Sequence, residues 1–158
     1  MIDVVSAAIG GDVGGMDADH RLLIPVRVRE ALEWLPKTKR AKPFELVADL
    51  RDSGLVRLYP AEQVRPLLLS MRQQLLVGHP DPLQAAAAFA DRYREVTYYA
   101  TDTRVHCGAA MGWHLRGTSQ HPDQFYVEAL GQFIDVMTLE RRNARQADLR
   151  AALDLSDD

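Results

Sequence analysis

The period of apolar and polar positions changes several times along this chain, and the changes divide it into short elements. Residues 4–9 read as a short apolar strand, and Gly10, Gly11, Gly14 and Gly15 then break the pattern into a flexible turn. Residues 22–24 form a second apolar run ending at Pro25, whose missing N–H costs least in the first turn of a helix. Val28, Ala31, Leu32 and Leu35 follow at i, i+3, i+4 and i+7, one face of a helix that Pro36 stops. FELVADL and LVRLY, separated by Arg51–Asp52–Ser53–Gly54, predict a β-hairpin. A helix runs from Pro60 to about Val77, with Pro66 near its first turns, and breaks at residues 78–80. Asp81 and Pro82 are an N-cap and N1 pair for a second helix over 83–96. Beyond it lie a strand at 96–99, a turn at 100–103, a strand from Arg104 and a short helix at 109–115. A loop at 117–124, a hairpin over 125–139, an arginine-rich helix over 140–153 and a frayed end complete the chain.

The pattern repeats. RLLIPVRVREAL from Arg21, FELVADL and GLVRLYP are echoed by RVHCGAAMGWHL from Arg104, FYVEAL and FIDVMTL. The offsets are 83, 81 and 78 residues (Arg21 to Arg104, Phe44 to Phe125, Val56 to Ile134). A near-constant offset drifting by loop-sized deletions implies duplication of one small unit. The expected class is therefore α+β, built from two pseudo-symmetric β-α-β-β repeats. Residues 1–60 make the first repeat, 61–95 the bridging helices, 96–139 a degenerate second repeat, and 140–158 a C-terminal helix and acidic tail. Trp34 and Trp113 fall at near-equivalent places and are expected to pack core or subunit surfaces rather than stack bases.

Composition changes this picture little. With 158 residues, 47% hydrophobic and 26% charged, the chain can bury a core, and no apolar run reaches the roughly 20 residues of a membrane span. The N-terminus has no basic n-region, and one cysteine allows no internal disulfide, so a cytoplasmic protein is expected. Charge matters more. The net value of −3 argues against a polyanion partner, yet residues 21–42 carry seven basic and two acidic side chains. Local field rather than net charge steers a polyanion, so the stretch reads either as a phosphate-contacting surface or as a solvated face.

Candidate chemistry is sparse. His106, Cys107, His114 and His121 follow no zinc spacing, and no third group orients a Cys107 nucleophile, which reads as a buried small hydrophobe. The glycines near the N-terminus have neither the G-x-G-x-x-G spacing nor a following Lys-Ser/Thr. No cofactor, no metal and no enzymatic activity are expected. Arg21 stands out: an arginine fork recognises phosphate or a guanine edge, with each base contact discriminating by about 1–3 kcal/mol. Asp17, four residues earlier, either orients that guanidinium or merely shapes the loop through a salt bridge. Arg27, Arg29, Lys37, Lys39, Arg40 and Lys42 would meet phosphates.

MDADHRLLIPVRVREAL resembles the block of the MraZ family that reads D-x-x-x-R, two apolar residues, Ile/Val-Pro and a further arginine. The order of the remaining elements agrees over nearly the whole chain. The resemblance implies a duplicated, AbrB-like swapped-hairpin barrel. It also implies a nucleoid-associated transcription regulator that binds tandem sites on double-stranded DNA as a ring-like homo-oligomer, in the family's manner. In that family the Asp and Arg of each copy are associated with DNA binding. Asp17 and Arg21 match; Arg104 matches in the second copy, but Ala100 stands where its aspartate would be. His20 and Thr103 replace the glycine usual before each arginine, and His106–Cys107–Gly108 replaces the Ile-Pro step. An oligomeric scaffold that kept the fold and lost the DNA site is the alternative.

Overall fold

A computed structural model describes residues 10–117 and 119–153. The strand expected at 4–9 and the frayed end after Asp154 lie outside the described residues. The chain runs β1 (Gly11–Gly15), β2 (Arg21–Leu23), α1 (Val26–Ala31), β3 (Phe44–Leu50), β4 (Leu55–Pro60), α2 (Ala61–Gly78), α3 (Pro82–Arg92), β5 (Tyr93–Tyr99), β6 (Arg104–His106), α4 (Gly108–Arg116), β7 (Gln124–Ala129), β8 (Ile134–Thr138) and α5 (Leu139–Ala152). The eight strands form one antiparallel sheet in the order β1-β7-β8-β4-β3-β5-β6-β2. Its two ends meet through a single antiparallel bridge, Met16 to Leu22, which nearly closes the sheet into a barrel. The fold is mixed α+β.

Alternation along the strands decides what fills the barrel. Leu22, Leu46, Ala48, Val56, Leu58, Val96, Tyr98, Val105, Phe125, Val127, Ile134 and Val136 point inward and form one core. Because β2 and β6 are antiparallel, the helices that follow them leave toward opposite ends of the barrel. Val28 of α1 and Met111 and Leu115 of α4 are buried in the same core. On the outside, α2 and α3 cover β3, β4 and β5, and α5 covers β7 and β8. Beneath these helices one outward row aligns Asp49, Arg57, Asp135 and Glu128 on four successive strands. Arg57 binds Asp135 through Nε (2.8 Å) and Nη2 (3.1 Å), Arg92 binds Asp49 (2.9 Å), and Arg145 of α5 grips both oxygens of Glu128.

Three elements differ from the sequence reading. The glycines at 11, 14 and 15 are not a flexible turn but strand β1. Gly14 passes so close to β2 that a methyl group there would sit 2.2 Å from the Leu23 carbonyl oxygen. Glycine in a strand often marks such an approach of a second backbone. The first helix stops at Ala31 rather than running to 35, because Leu32 turns extended (φ −109°, ψ 106°). Trp34 then donates its indole N–H to Gly131 O at 2.7 Å and stacks on Phe44, and Pro36 disfavours helical backbone before it. Leu32 and Leu35 are still buried, carried under the barrel by the turn instead. The helix expected over 83–96 ends at Arg92, and β5 begins at Tyr93 without a loop. Val96 and Tyr98 are buried on one face, and pairing with β3 along six positions outweighs the local helical pattern. The Asp81 cap forms as expected, its carboxylate accepting from Gln84 N at 3.2 Å. No described helix is long and apolar enough to cross a membrane.

Candidate nucleic-acid interface

Strands β2 and β6 are only three residues long and pair with each other, Arg21 opposite His106 and Leu23 opposite Arg104. Leu22 and Val105 fill the core between them, so Arg21 and Arg104 both stand on the outer face. They are diagonal neighbours on adjacent strands, a relation that sets their backbones about 7–8 Å apart. The structure therefore brings together the two arginines that lie 83 positions apart in sequence.

A carboxylate-built turn leads into each. Asp17 Oδ1 accepts from the N–H groups of Asp19 (2.9 Å) and Arg21 (3.0 Å), and its Oδ2 accepts from Arg21 Nε at 2.8 Å. Asp19 takes a further bond from Arg21 Nη2 at 3.2 Å. Partial burial works to raise the Asp17 pKa, but the bonds from Arg21 and Asp19 outweigh it and hold the carboxyl below its usual range. In the second turn Ala100 is buried and Asp102 supplies the carboxylate, accepting from Arg104 N at 3.0 Å and facing His106 Nε2 at 3.0 Å. Asp102 stands two residues before Arg104, as Asp19 stands before Arg21, and that shared spacing was the available signal.

Both turns pass through left-handed backbone immediately before the arginine, at His20 (φ 60°) and Thr103 (φ 55°). Glycine adopts that region freely, and a β-branched residue there is strained. Thr103→Gly is expected to stabilise the fold by about 1 kcal/mol, read as a higher midpoint in urea, while the Arg104 turn keeps its shape.

A residue outside the sequence reading completes the first turn. Arg116, at the end of α4, has a side chain only 8% exposed. Its guanidinium donates to Asp17 O (2.6 Å), Met16 O (3.2 Å), Pro122 O (2.8 Å) and His20 Nδ1 (3.0 Å). It thereby ties the second half of the chain to the turn that sets Arg21. Trp113 is not packed away: it is 61% exposed and meets His20 edge-on, with ring centroids 5.5 Å apart. Trp113, His20, Asp17 and Pro122 border an open hollow of about 790 Å³ beside the Arg21 turn.

The other basic candidates are placed differently. Arg27 is exposed on α1, whereas Arg29 is half-buried and donates Nε to Ile24 O at 3.0 Å. Lys37, Lys39, Arg40 and Lys42 are exposed on the loop before β3. That loop is flanked by Trp34 and Phe44, which are tied to Gly131 and to the core rather than to the Asp17 turn. Cys107 is buried, and desolvation pushes its thiol up to about 12, the reverse of what a nucleophile needs. Among the described residues no three His, Cys, Asp or Glu side chains converge as a metal site. His114 instead faces Asp52 O and Leu55 O at the β3–β4 turn.

No protein-family model matches the chain, and no curated protein matches it.

Proposed function

We propose that this protein is a sequence-specific DNA-binding regulator of the MraZ type that binds tandem sites as a homo-oligomer. The observation that carries the reading is the shared outer face of β2 and β6, from which Arg21 and Arg104 both project behind carboxylate-held turns. Arg21 would contact a base edge or phosphate, Asp17 would orient it, and Arg104 would extend the contact across the pseudo-twofold. The exposed Arg27 and the lysine-rich loop would meet phosphates, and Arg29, with its Nε committed to Ile24 O, would offer only its terminal nitrogens.

The two-repeat reading is supported by the pairing pattern. Adding four to each strand number, β1 to β5 through β4 to β8 and back again, regenerates the same set of neighbours. The left-handed pair His20 and Thr103, and the positive-φ pair Gly54 and Gly131 in the two hairpin turns, obey the same exchange. His20 and Thr103 also occupy the positions where the resembled family usually has glycine. Self-association is supported by α2, which is apolar on two sides. Val64, Leu68 and Met71 face the sheet and α3, while Leu69 and Val77 are exposed on the opposite side. Exposed apolar side chains turned away from the helix's own core offer a surface to a second copy.

The test is fluorescence anisotropy of duplex genomic fragments, including DNA upstream of the protein's own gene, at low and moderate salt. Binding is expected to prefer one fragment and to weaken steeply with salt. Arg21→Ala is expected to cost about 1–3 kcal/mol of affinity. Lys39→Gln is expected to weaken all fragments alike and to lower the salt slope by about one. Absence of binding at low salt by folded, oligomeric protein would sink the proposal. The scaffold reading would then gain: Asp17 and Asp19 both hold Arg21, so two carboxylates surround one guanidinium and dim its field.

A further inference from the structure

The sheet, α2 and α3 do not close on one another. Between β3, β4 and α2 lies a half-enclosed cavity of about 280 Å³, with Val47, Val64, Leu68 and Met71 as its apolar wall. Past Met71, Arg92 and Tyr93 it opens into a groove of about 530 Å³ between α2 and α3. Leu67, Met71 and Leu75 recur every four residues along α2 and border these spaces, yet all three are exposed. The apolar stripe of the helix is in place, and the space beside it is unfilled.

One end of the cleft is charged. Asp49 is buried, accepts from Arg92 Nε at 2.9 Å and lies 3.6 Å from Arg51 Nη1. It is the one acid lining either space among the described residues, so two guanidiniums share a single carboxylate and one positive charge is left over. Arg92 lies over the Tyr93 ring, 5.0 Å from its centroid, which fixes its plane at the junction of cavity and groove. A guanidinium has five donors, and Asp49 occupies only part of this set. Burial pushes the Tyr93 phenol up from its ordinary value, so it stands beside the arginines as a neutral donor. Apolar walls with a few convergent polar groups are the usual make-up of a small-molecule site.

We propose that this cleft binds a small amphipathic carboxylate, with its anion on Arg51 and Arg92 and its apolar body along Leu68 and Met71. The site lies on the sheet region under α2 and α3, and it does not depend on the DNA-binding reading.

The experiment titrates octanoate into the full chain carrying ¹³C-methyl methionine, with octan-1-ol as the neutral control. The Met71 methyl resonance is expected to move and saturate with octanoate, while the buried Met111 methyl stays in place and reports an intact core. Octan-1-ol is expected to need a concentration about tenfold higher, and Arg51→Gln to weaken octanoate by about tenfold. Met71→Trp, which fills the cleft, is expected to abolish saturation. If that variant does not fold, the partly exposed Arg51 decides the matter. The proposal is overturned if octanoate gives no saturable shift, if octan-1-ol binds equally well, or if Arg51→Gln changes nothing. It is also overturned if Met71 responds to protein concentration instead of octanoate, because the cleft is then covered by a second copy.

Discussion

Arg145→Ala is expected to lower the unfolding free energy by about 3 kcal/mol. Glu128 is fully buried on the outer face of β7, and Arg145 of α5 meets both of its oxygens, Nη2 to Oε2 at 2.6 Å. Its neighbour across the β7–β8 ladder is Asp135, a like charge already committed to Arg57. Removing the guanidinium leaves a buried carboxylate without its bidentate partner, the arrangement that makes a broken buried pair far costlier than a missing one. The value belongs at the lower end of the range for such losses because Arg145 itself is 37% exposed, and solvent reaches the vacated position. Urea unfolding checks it. Adding Glu128→Gln to Arg145→Ala is expected to restore part of the loss, since a neutral amide is cheaper to bury than a charge. A single variant within 0.5 kcal/mol of the parent would mean that the Arg145–Glu128 pair contributes little to holding α5.

Gly14→Ala is the second large effect, with an expected loss of about 3 kcal/mol, the upper end for overpacking. The added carbon would lie 2.2 Å from a backbone oxygen of Leu23 and 3.3 Å from Val127 Cγ2. A backbone carbonyl cannot rotate away as a side chain can, so the strands must part where β1 and β2 nearly close the barrel. Gly15→Ala is the control, because its new carbon meets nothing nearer than 3.8 Å. It is expected to be neutral or slightly stabilising through the unfolded state. Thermal unfolding separates the two, with a midpoint drop of about 6–12 °C for Gly14→Ala. Equal midpoints would show that the closure has slack.

The elements were legible wherever one period ran long enough. The hairpins over 44–60 and 124–138, the Asp81 cap and the terminal helix follow from local pattern and turn chemistry. The misreadings share a cause. Gly11, Gly14 and Gly15 have no side chains to alternate, so only the pairing with β7, more than a hundred residues later, tells a strand from a turn. The fate of Tyr93–Val96 depends on β3, more than forty residues earlier. At the candidate site Asp17, Arg21 and Arg104 could be found by spacing, whereas Arg116 could not. It enters from the end of a helix about a hundred residues away to bond backbone oxygens of Met16 and Asp17, and carbonyls leave no mark in a sequence. The charged row beneath the outer helices was invisible for a related reason. Asp49, Arg57, Asp135 and Glu128 look like ordinary surface positions until register aligns them.

The order of strands around the barrel also governs how the chain can be born. Gly15 pairs with Gln124, and β3 and β4 each take one neighbour from the second half. When a ribosome has delivered the chain as far as β5, β1 has no β7 and β4 has no β8. The nascent chain then carries open ladder edges, which are templates for pairing with a neighbouring chain. Contacts spanning this much sequence form late and slowly. Arrival of β7 and β8, more than the strength of any one contact, sets the moment at which these edges are covered.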